Sequence, residues 1–149
     1  MPSFHTAKRV PYTPIQMYEL VADVEKYPEF VPLCESLRVR RRTQSGEGVV
    51  ILVADMSVGY KSIRETFTTR VTLDRPRLRI DVEYIDGPFR FLENRWKFLS
   101  AEDGASDVDF HIAYEFRNFA LGMLMGAMFD RAFRKFTNAF EDRARHVYG

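Results

Sequence analysis

Few side chains in this sequence could do chemistry, and those that could are scattered. The histidines are His5, His111 and His146. His5 and His111 alternate with apolar neighbours, which places them on the wet side of strands, and His146 falls in the last turn of a C-terminal helix. No His, Cys and carboxylate spacing resembles a metal site, where several ligands must converge. The lone cysteine, Cys34, permits no intrachain disulfide, which fits a reducing compartment. Gly46-Glu47-Gly48 reads as a hairpin turn rather than a phosphate-cradling loop. A binding protein is therefore expected rather than an enzyme, with no cofactor or metal required.

Two polar residues break the pattern around them. Glu65 shares the apolar side of its strand with Ile63, Phe67 and Val71, and Asn94 shares its side with Leu92, Trp96 and Phe98. A buried carboxylate is costly unless paired or protonated. Glu65 either meets an arginine or lies near the open edge of the sheet, or else Glu65 and Asn94 offer hydrogen bonds to the polar head of a bound molecule. A basic run, Arg38, Arg40, Arg41 and Arg42, is the other conspicuous feature. Strict alternation puts Arg38, Arg40 and Arg42 together on a wet face. They serve there either as a solvated strand that discourages edge pairing or as contacts to phosphates of RNA or lipid head groups. A net charge of +1 gives no general attraction to nucleic acid or anionic membranes, and no DNA binding is expected.

The elements that must position these residues follow from periodicity. Phe4 to Val10 reads as a strand. Thr13-Pro14-Ile15-Gln16 reads as a helix start, with Thr13 as cap, Pro14 in the first turn and Gln16 completing a capping box. A second short helix is expected to end near Pro32. From Leu37 to Phe116 the period is two, broken by turns at Gly46/Gly48, Asp74-Arg75-Pro76, Asp86-Gly87-Pro88 and Glu102-Asp103-Gly104. That describes an antiparallel meander with one apolar face. Asn118 opens a single helix expected to run to about Val147, roughly 29 residues and about 43 Å long. Its stripe is Phe129, Phe133, Phe136 and Phe140.

A sheet with one apolar face needs a partner, and the long helix is the only element large enough. Gly122 and Gly126 share a side of that helix, which allows either close packing on the sheet or room for a ligand. The surrounding Leu121, Leu124, Met125, Met128 and Phe129 favour room, since methionines adapt to a guest and a segment apolar nearly all round needs cover. Phe119 to Phe129 falls short of the ~20 residues a membrane span needs. Met1 to Val10 lacks an apolar leader core. One soluble domain covering residues 1–149 is expected, in the cytoplasm.

Several strings resemble a known family. They are Val10-Pro11-Tyr12-Thr13-Pro14-Ile15-Gln16-Met17-Tyr18, Val21-Ala22-Asp23-Val24-Glu25-Lys26-Tyr27-Pro28-Glu29-Phe30 and Val58-Gly59-Tyr60-Lys61. Ile63-Arg64-Glu65, Asp86-Gly87-Pro88-Phe89-Arg90 and Ala139-Phe140-Glu141-Asp142-Arg143-Ala144 complete the set. Together they resemble the coenzyme Q-binding START-related family, also labelled polyketide cyclase/dehydrase-like, which includes the bacterial ribosome association toxin. Tyr60 stands where phenylalanine is usual and Ser62 where glycine is common.

The resemblance implies an α+β helix-grip fold. About six or seven antiparallel strands would wrap a long C-terminal helix, with two short helices after the first strand. It implies binding of ubiquinone or a similar prenylated lipid as the ligand, by a carrier supporting respiratory electron transport, with peripheral contact at the inner membrane. The pocket would draw on Phe30, Leu52, Met56, Phe67, Val82, Trp96, Phe110, Met125, Phe129 and Phe133, with Pro28 to Leu33 as a movable rim. The alternative is a toxin-like protein that binds the large ribosomal subunit and blocks subunit association through the Arg38 to Arg42 run and exposed helix arginines. An aromatic cyclase-like enzyme would rest on shared fold alone, which licenses no function.

Overall fold

A computed structural model describes residues 3–149. The chain opens with β1 (Ser3–Val10), α1 (Pro14–Ala22) and a 3-10 turn (Val24–Glu29). Six strands follow: β2 (Cys34–Gln44), β3 (Val49–Tyr60), β4 (Ile63–Asp74), β5 (Arg79–Asp86), β6 (Phe89–Ser100) and β7 (Ser106–Phe116). Two helices close the chain, α2 (Phe119–Arg134) and α3 (Phe136–Tyr148).

The start of α1 forms as its residue types dictate. The Thr13 hydroxyl accepts from the Gln16 N–H at 3.2 Å while the Gln16 side chain accepts from the Thr13 N–H at 2.9 Å, so two otherwise orphaned donors are satisfied. The strands make one seven-stranded antiparallel sheet in the order β1-β7-β6-β5-β4-β3-β2. Each hairpin of the meander pairs with its successor, and β1 closes the far edge against β7. Gly87 shows how tight one turn is. Its φ is +143°, and a Cβ there would stand 2.6 Å from the Cβ of Phe67, so only glycine lets the β5–β6 turn approach β4.

One face of the sheet carries Leu52, Phe67, Ile80, Trp96 and Phe110, all buried, and α2 and α3 lie over it. This is the α+β helix-grip arrangement. Phe129, Phe133, Phe136 and Phe140 form the expected stripe beneath the helices.

Three expectations change. The C-terminal helix is not continuous: at Lys135 the N–H is shared between the Ala132 and Phe133 carbonyls, which tightens the turn and separates α2 from α3. The arginine run is not in simple alternation, because a β-bulge at Arg40 lets Val39 pair with Ala54 and Arg41 with Val53. Arg40 then reaches Asp55 at 3.5 Å, while Arg42 is turned to the other face and meets Glu25 at 3.6 Å. Arg38, Arg40 and Arg42 therefore do not share a face. The first turns of α2 do not receive the cover expected for an all-apolar segment. Phe119, Met123 and Leu124 are 83%, 72% and 66% exposed, and a Cβ at Gly122 or Gly126 would meet nothing within 4 Å.

Candidate functional site

Between the concave face and the helices lies a partly enclosed chamber of about 80 Å³. Met56, Phe67, Val82 and Trp96 wall it from the sheet, and Phe129 and Phe133 from α2, as expected. Asn94 also lines it, and with Thr69 it is one of few polar residues there. Other expected members do not. Leu52, Phe110 and Met125 are at most 1% exposed and are plain core, consumed in helix–sheet packing. Phe30 lies on the far side of Phe140, edge-on to it at 5.0 Å and under the Arg143 guanidinium.

Leu37, Val58, Val71, Ile80, Leu92 and Ile112 on the strands join the lining beyond the expected set, together with small or irregularly placed residues that periodicity misses. Ala54 and Ala132 leave volume that larger side chains would fill, and Tyr27, Pro32 and Leu33 close one end from the segment after the 3-10 turn. Of the expected rim, Pro28 to Leu33, only Pro32 and Leu33 line the chamber. Leu33 holds φ at +68°, a left-handed conformation that costs a non-glycine residue roughly 1–2 kcal/mol. Its carbonyl accepts from the Gly59 N–H at 3.0 Å, tying the rim to the end of β3.

Pro32, Leu33 and Ala132 also line a second space, an open groove of about 620 Å³ bounded by Tyr60 to Ile63, by Leu124, Met128 and Arg131 of α2, and by Lys135 at its end. Those three residues are a shared wall. Chamber and groove are separated by little more than one rim segment and one turn of helix.

The polar groups follow simple electrostatics. The Asn94 Oδ1 accepts from the Trp96 indole N–H at 3.1 Å, and its Nδ2 donates to the His111 carbonyl at 2.9 Å. Asn94 therefore fixes the indole in the chamber wall, keeping one amide proton and one lone pair in reserve. Glu65 sits opposite Val58 near the β3–β4 turn, half-buried and outside the chamber, while its neighbour Arg64 pairs with Glu35 at 2.9 Å. Glu65 has no arginine within 4.0 Å among the described residues and does not line the chamber. Burial raises the Tyr27 phenol well above its ordinary range, so its hydroxyl stays a donor, to the Val21 carbonyl. Burial likewise pushes the Cys34 thiol up to about 11. Among the described residues no cluster of His, Cys, Asp and Glu is arranged to hold a metal. His5 instead bonds Asp109 on the outer face at 3.0 Å.

A sheet-and-helix chamber with an apolar lining is a shape shared by many proteins. A family model described as polyketide cyclase / dehydrase and lipid transport matches residues 10–141. The chain belongs to that family. Among its members, the ribosome association toxin RatA of Escherichia coli is 34% identical over 148 residues, covering 99% of this chain and 90% of the relative. The coenzyme Q-binding protein COQ10 homolog B, mitochondrial, of Xenopus laevis is 30% identical over 138 residues, covering 90% of this chain and 54% of that protein. The solution structure of the 18 kDa protein CC1736 from Caulobacter crescentus is 38% identical, with a TM-score of 0.80 over all of this chain and 99% of that one. The Zhui aromatase/cyclase of Streptomyces superposes with a TM-score of 0.79 at 18% identity, covering 97% of this chain and 93% of that one, which speaks for the fold alone. The polyketide cyclase and lipid transport family thus joins toxin-named and coenzyme Q-binding members on one helix-grip scaffold.

Proposed function

We propose that this chain is a carrier, not a catalyst, that shelters the tail of ubiquinone or a similar prenylated lipid beneath α2 and exchanges it through the neighbouring groove. The observation that carries this reading is the shared wall: an apolar chamber separated from an open groove only by Pro32, Leu33 and Ala132. An internal space of about 80 Å³ is smaller than the ~150 Å³ that admits benzene. It is also far below the ~300–1,000 Å³ of ligand sites. The space is too small for a tail as it stands, and loading requires the wall to part so that chamber and groove become one site. Each buried CH₂ is worth about 0.8 kcal/mol, so a few isoprene units offset the cost of parting it. The quinone oxygens would find donors at the groove, where Lys61, Arg131 and Lys135 stand, rather than at Glu65. Organic extraction of the purified protein followed by mass spectrometry tests this. Stoichiometric quinone is expected, and an extract free of any prenyl lipid, from a protein that also takes up none when offered it, ends the reading.

A second reading, binding to the large ribosomal subunit with a block on subunit association, draws stronger support from the relatives. RatA matches over nearly the whole chain, whereas only about half of the COQ10 homolog is matched. Its surface would be the outer edge strand β2, where Arg38 and Arg41 are exposed and have no carboxylate within 4.0 Å among the described residues. Co-sedimentation with large subunits, lost in an Arg38→Glu/Arg41→Glu variant, is the expected result. Either role places the protein in the cytoplasm, the carrier role at the inner membrane surface.

A further inference from the structure

We infer that the N-terminal half of α2 is a docking surface for an anionic lipid bilayer, which it meets with a greasy stripe inside a cationic rim. This deepens the carrier reading and rests on it for its purpose, but its physical basis is separate. Phe119, Met123 and Leu124 lie on one side of α2 and are the most exposed large apolar side chains among the described residues, at 83%, 72% and 66%. Ala120 and Ala127 on the same side are exposed too. Water-facing Phe, Met and Leu so close together are unusual on a protein with no use for them. The helix begins directly after β7 with Asn118 capping the Leu121 N–H at 2.9 Å, so the stripe is held on a formed helix and not on a loose end.

Charge decides what covers it. Three nearby arginines are taken: Arg64 by Glu35, Arg90 by Glu115 and Arg134 by Asp130. Lys61, Arg117, Arg131 and Lys135 have no carboxylate within 4.0 Å among the described residues. Arg117 immediately precedes the helix, Arg131 and Lys135 continue the exposed side of α2 beyond the apolar turns, and Lys61 faces them across the groove. A second copy of the chain on this face would set these cations against their own duplicates. An RNA would satisfy the cations and leave the stripe in water. A bilayer with anionic head groups satisfies both, since the apolar side chains enter the acyl boundary while Lys and Arg stay at phosphate level. No described helix is long and apolar enough to cross a membrane, so the contact is with one leaflet. The groove that adjoins the chamber opens between the same elements, so a lipid leaving the chamber would pass directly into that leaflet.

Flotation with phosphatidylglycerol-containing vesicles against pure phosphatidylcholine vesicles tests this. The intact chain is expected to float with the anionic vesicles and remain behind with the neutral ones. Replacing Phe119, Met123 and Leu124 together by Ser should weaken binding at least tenfold. Replacing Lys61, Arg117, Arg131 and Lys135 by Gln should each cost about fivefold on anionic vesicles only. All these positions are exposed, and circular dichroism confirms that each variant is folded. The inference is overturned by absence of flotation with anionic vesicles, by equal flotation with the serine variant, or by a concentration-dependent dimer or ribosome contact that the serine substitutions abolish while vesicle binding is unaffected. Quinone extraction is scored independently. Docking without quinone defeats the carrier reading and leaves this surface standing, and quinone without docking does the reverse.

Discussion

Replacing Ala54 by Leu should separate a functional chamber from a packing flaw. Ala54 is on β3, is only 3% exposed, and borders the chamber. The substitution adds three carbons. Benzene's six carbons fit a cavity of ~150 Å³, so three need about half of that, close to the volume present. A void costs about 24 cal/mol per Å³, so filling one of about 80 Å³ recovers at most about 2 kcal/mol. For a chain of this length that is a rise in Tm of up to ~4–8 °C, reduced by whatever strain the new side chain meets. The same three carbons occupy space the lipid tail would use. At about 0.8 kcal/mol per carbon the loss is ~2.4 kcal/mol, or about fiftyfold in affinity. Trp96 is the only tryptophan and stands in the chamber wall, so quenching of its fluorescence by a short-chain quinone reports occupancy directly. The expected variant is as stable as the parent or more so, and nearly unable to bind. A folded variant that binds quinone as well as the parent refutes the placement of the tail. Ala54→Val, with two added carbons, should fall between.

Other consequences are open to single measurements. Gly87→Ala should destabilise by roughly 1–3 kcal/mol in urea unfolding, because the new Cβ meets Phe67 at a backbone angle few residues adopt; a neutral result contradicts the turn geometry. Asn94→Leu removes the acceptor of the Trp96 N–H and should cost about 1–3 kcal/mol, with a changed Trp96 emission; if stability is unchanged, the bridge does not hold the indole. The Cys34 thiol, raised from 9.0 to about 11, should react with iodoacetamide at pH 8 about a hundredfold more slowly in the native chain than in urea. Because its folded pKa lies above the unfolded one, the neutral thiol contributes stability that is complete below pH 9 and is lost as pH rises from 9 to about 11. A Cys34→Ser variant should lack that loss.

The sequence disclosed the fold far better than it disclosed the site, for a physical reason. Strands and caps are made by side chains that are present: Thr13 with Gln16, the alternation from Leu37 to Phe116, the glycine turns. The cap, the turns and the meander are found, with the alternation interrupted at bulges such as that at Arg40. A chamber is made by volume that is missing. Large apolar residues were the natural candidates for its wall, yet Leu52, Phe110 and Met125 are core, while Ala54 and Ala132 create the space without announcing it. The bulge at Arg40 was equally hidden, since it takes one extra residue and leaves no mark in a run of arginines. The break at Lys135 lies inside an uninterrupted helical pattern, with neither proline nor glycine to signal it. The uncovered start of α2 was half legible: its composition called for cover, and the cover is not supplied by the described residues.

The two readings of function need not compete for the same surface, and the geometry makes that separation measurable. The rim at Leu33 leads directly into β2 at Cys34, and Arg41 lies seven residues along the strand, roughly 23 Å away at ~3.3 Å per residue. That distance exceeds the ~8–10 Å over which exposed charges sense one another in physiological salt. Arg38→Glu/Arg41→Glu should therefore abolish ribosome contact and leave quinone affinity and vesicle docking intact, and Ala54→Leu should do the converse. If ribosome contact instead changed with quinone occupancy, electrostatics could not carry the coupling. It would have to pass through the rim and the bulged edge strand as a change of shape, and the Gly59 to Leu33 hydrogen bond, which ties the rim to β3 beside that strand, would be the first place to break it.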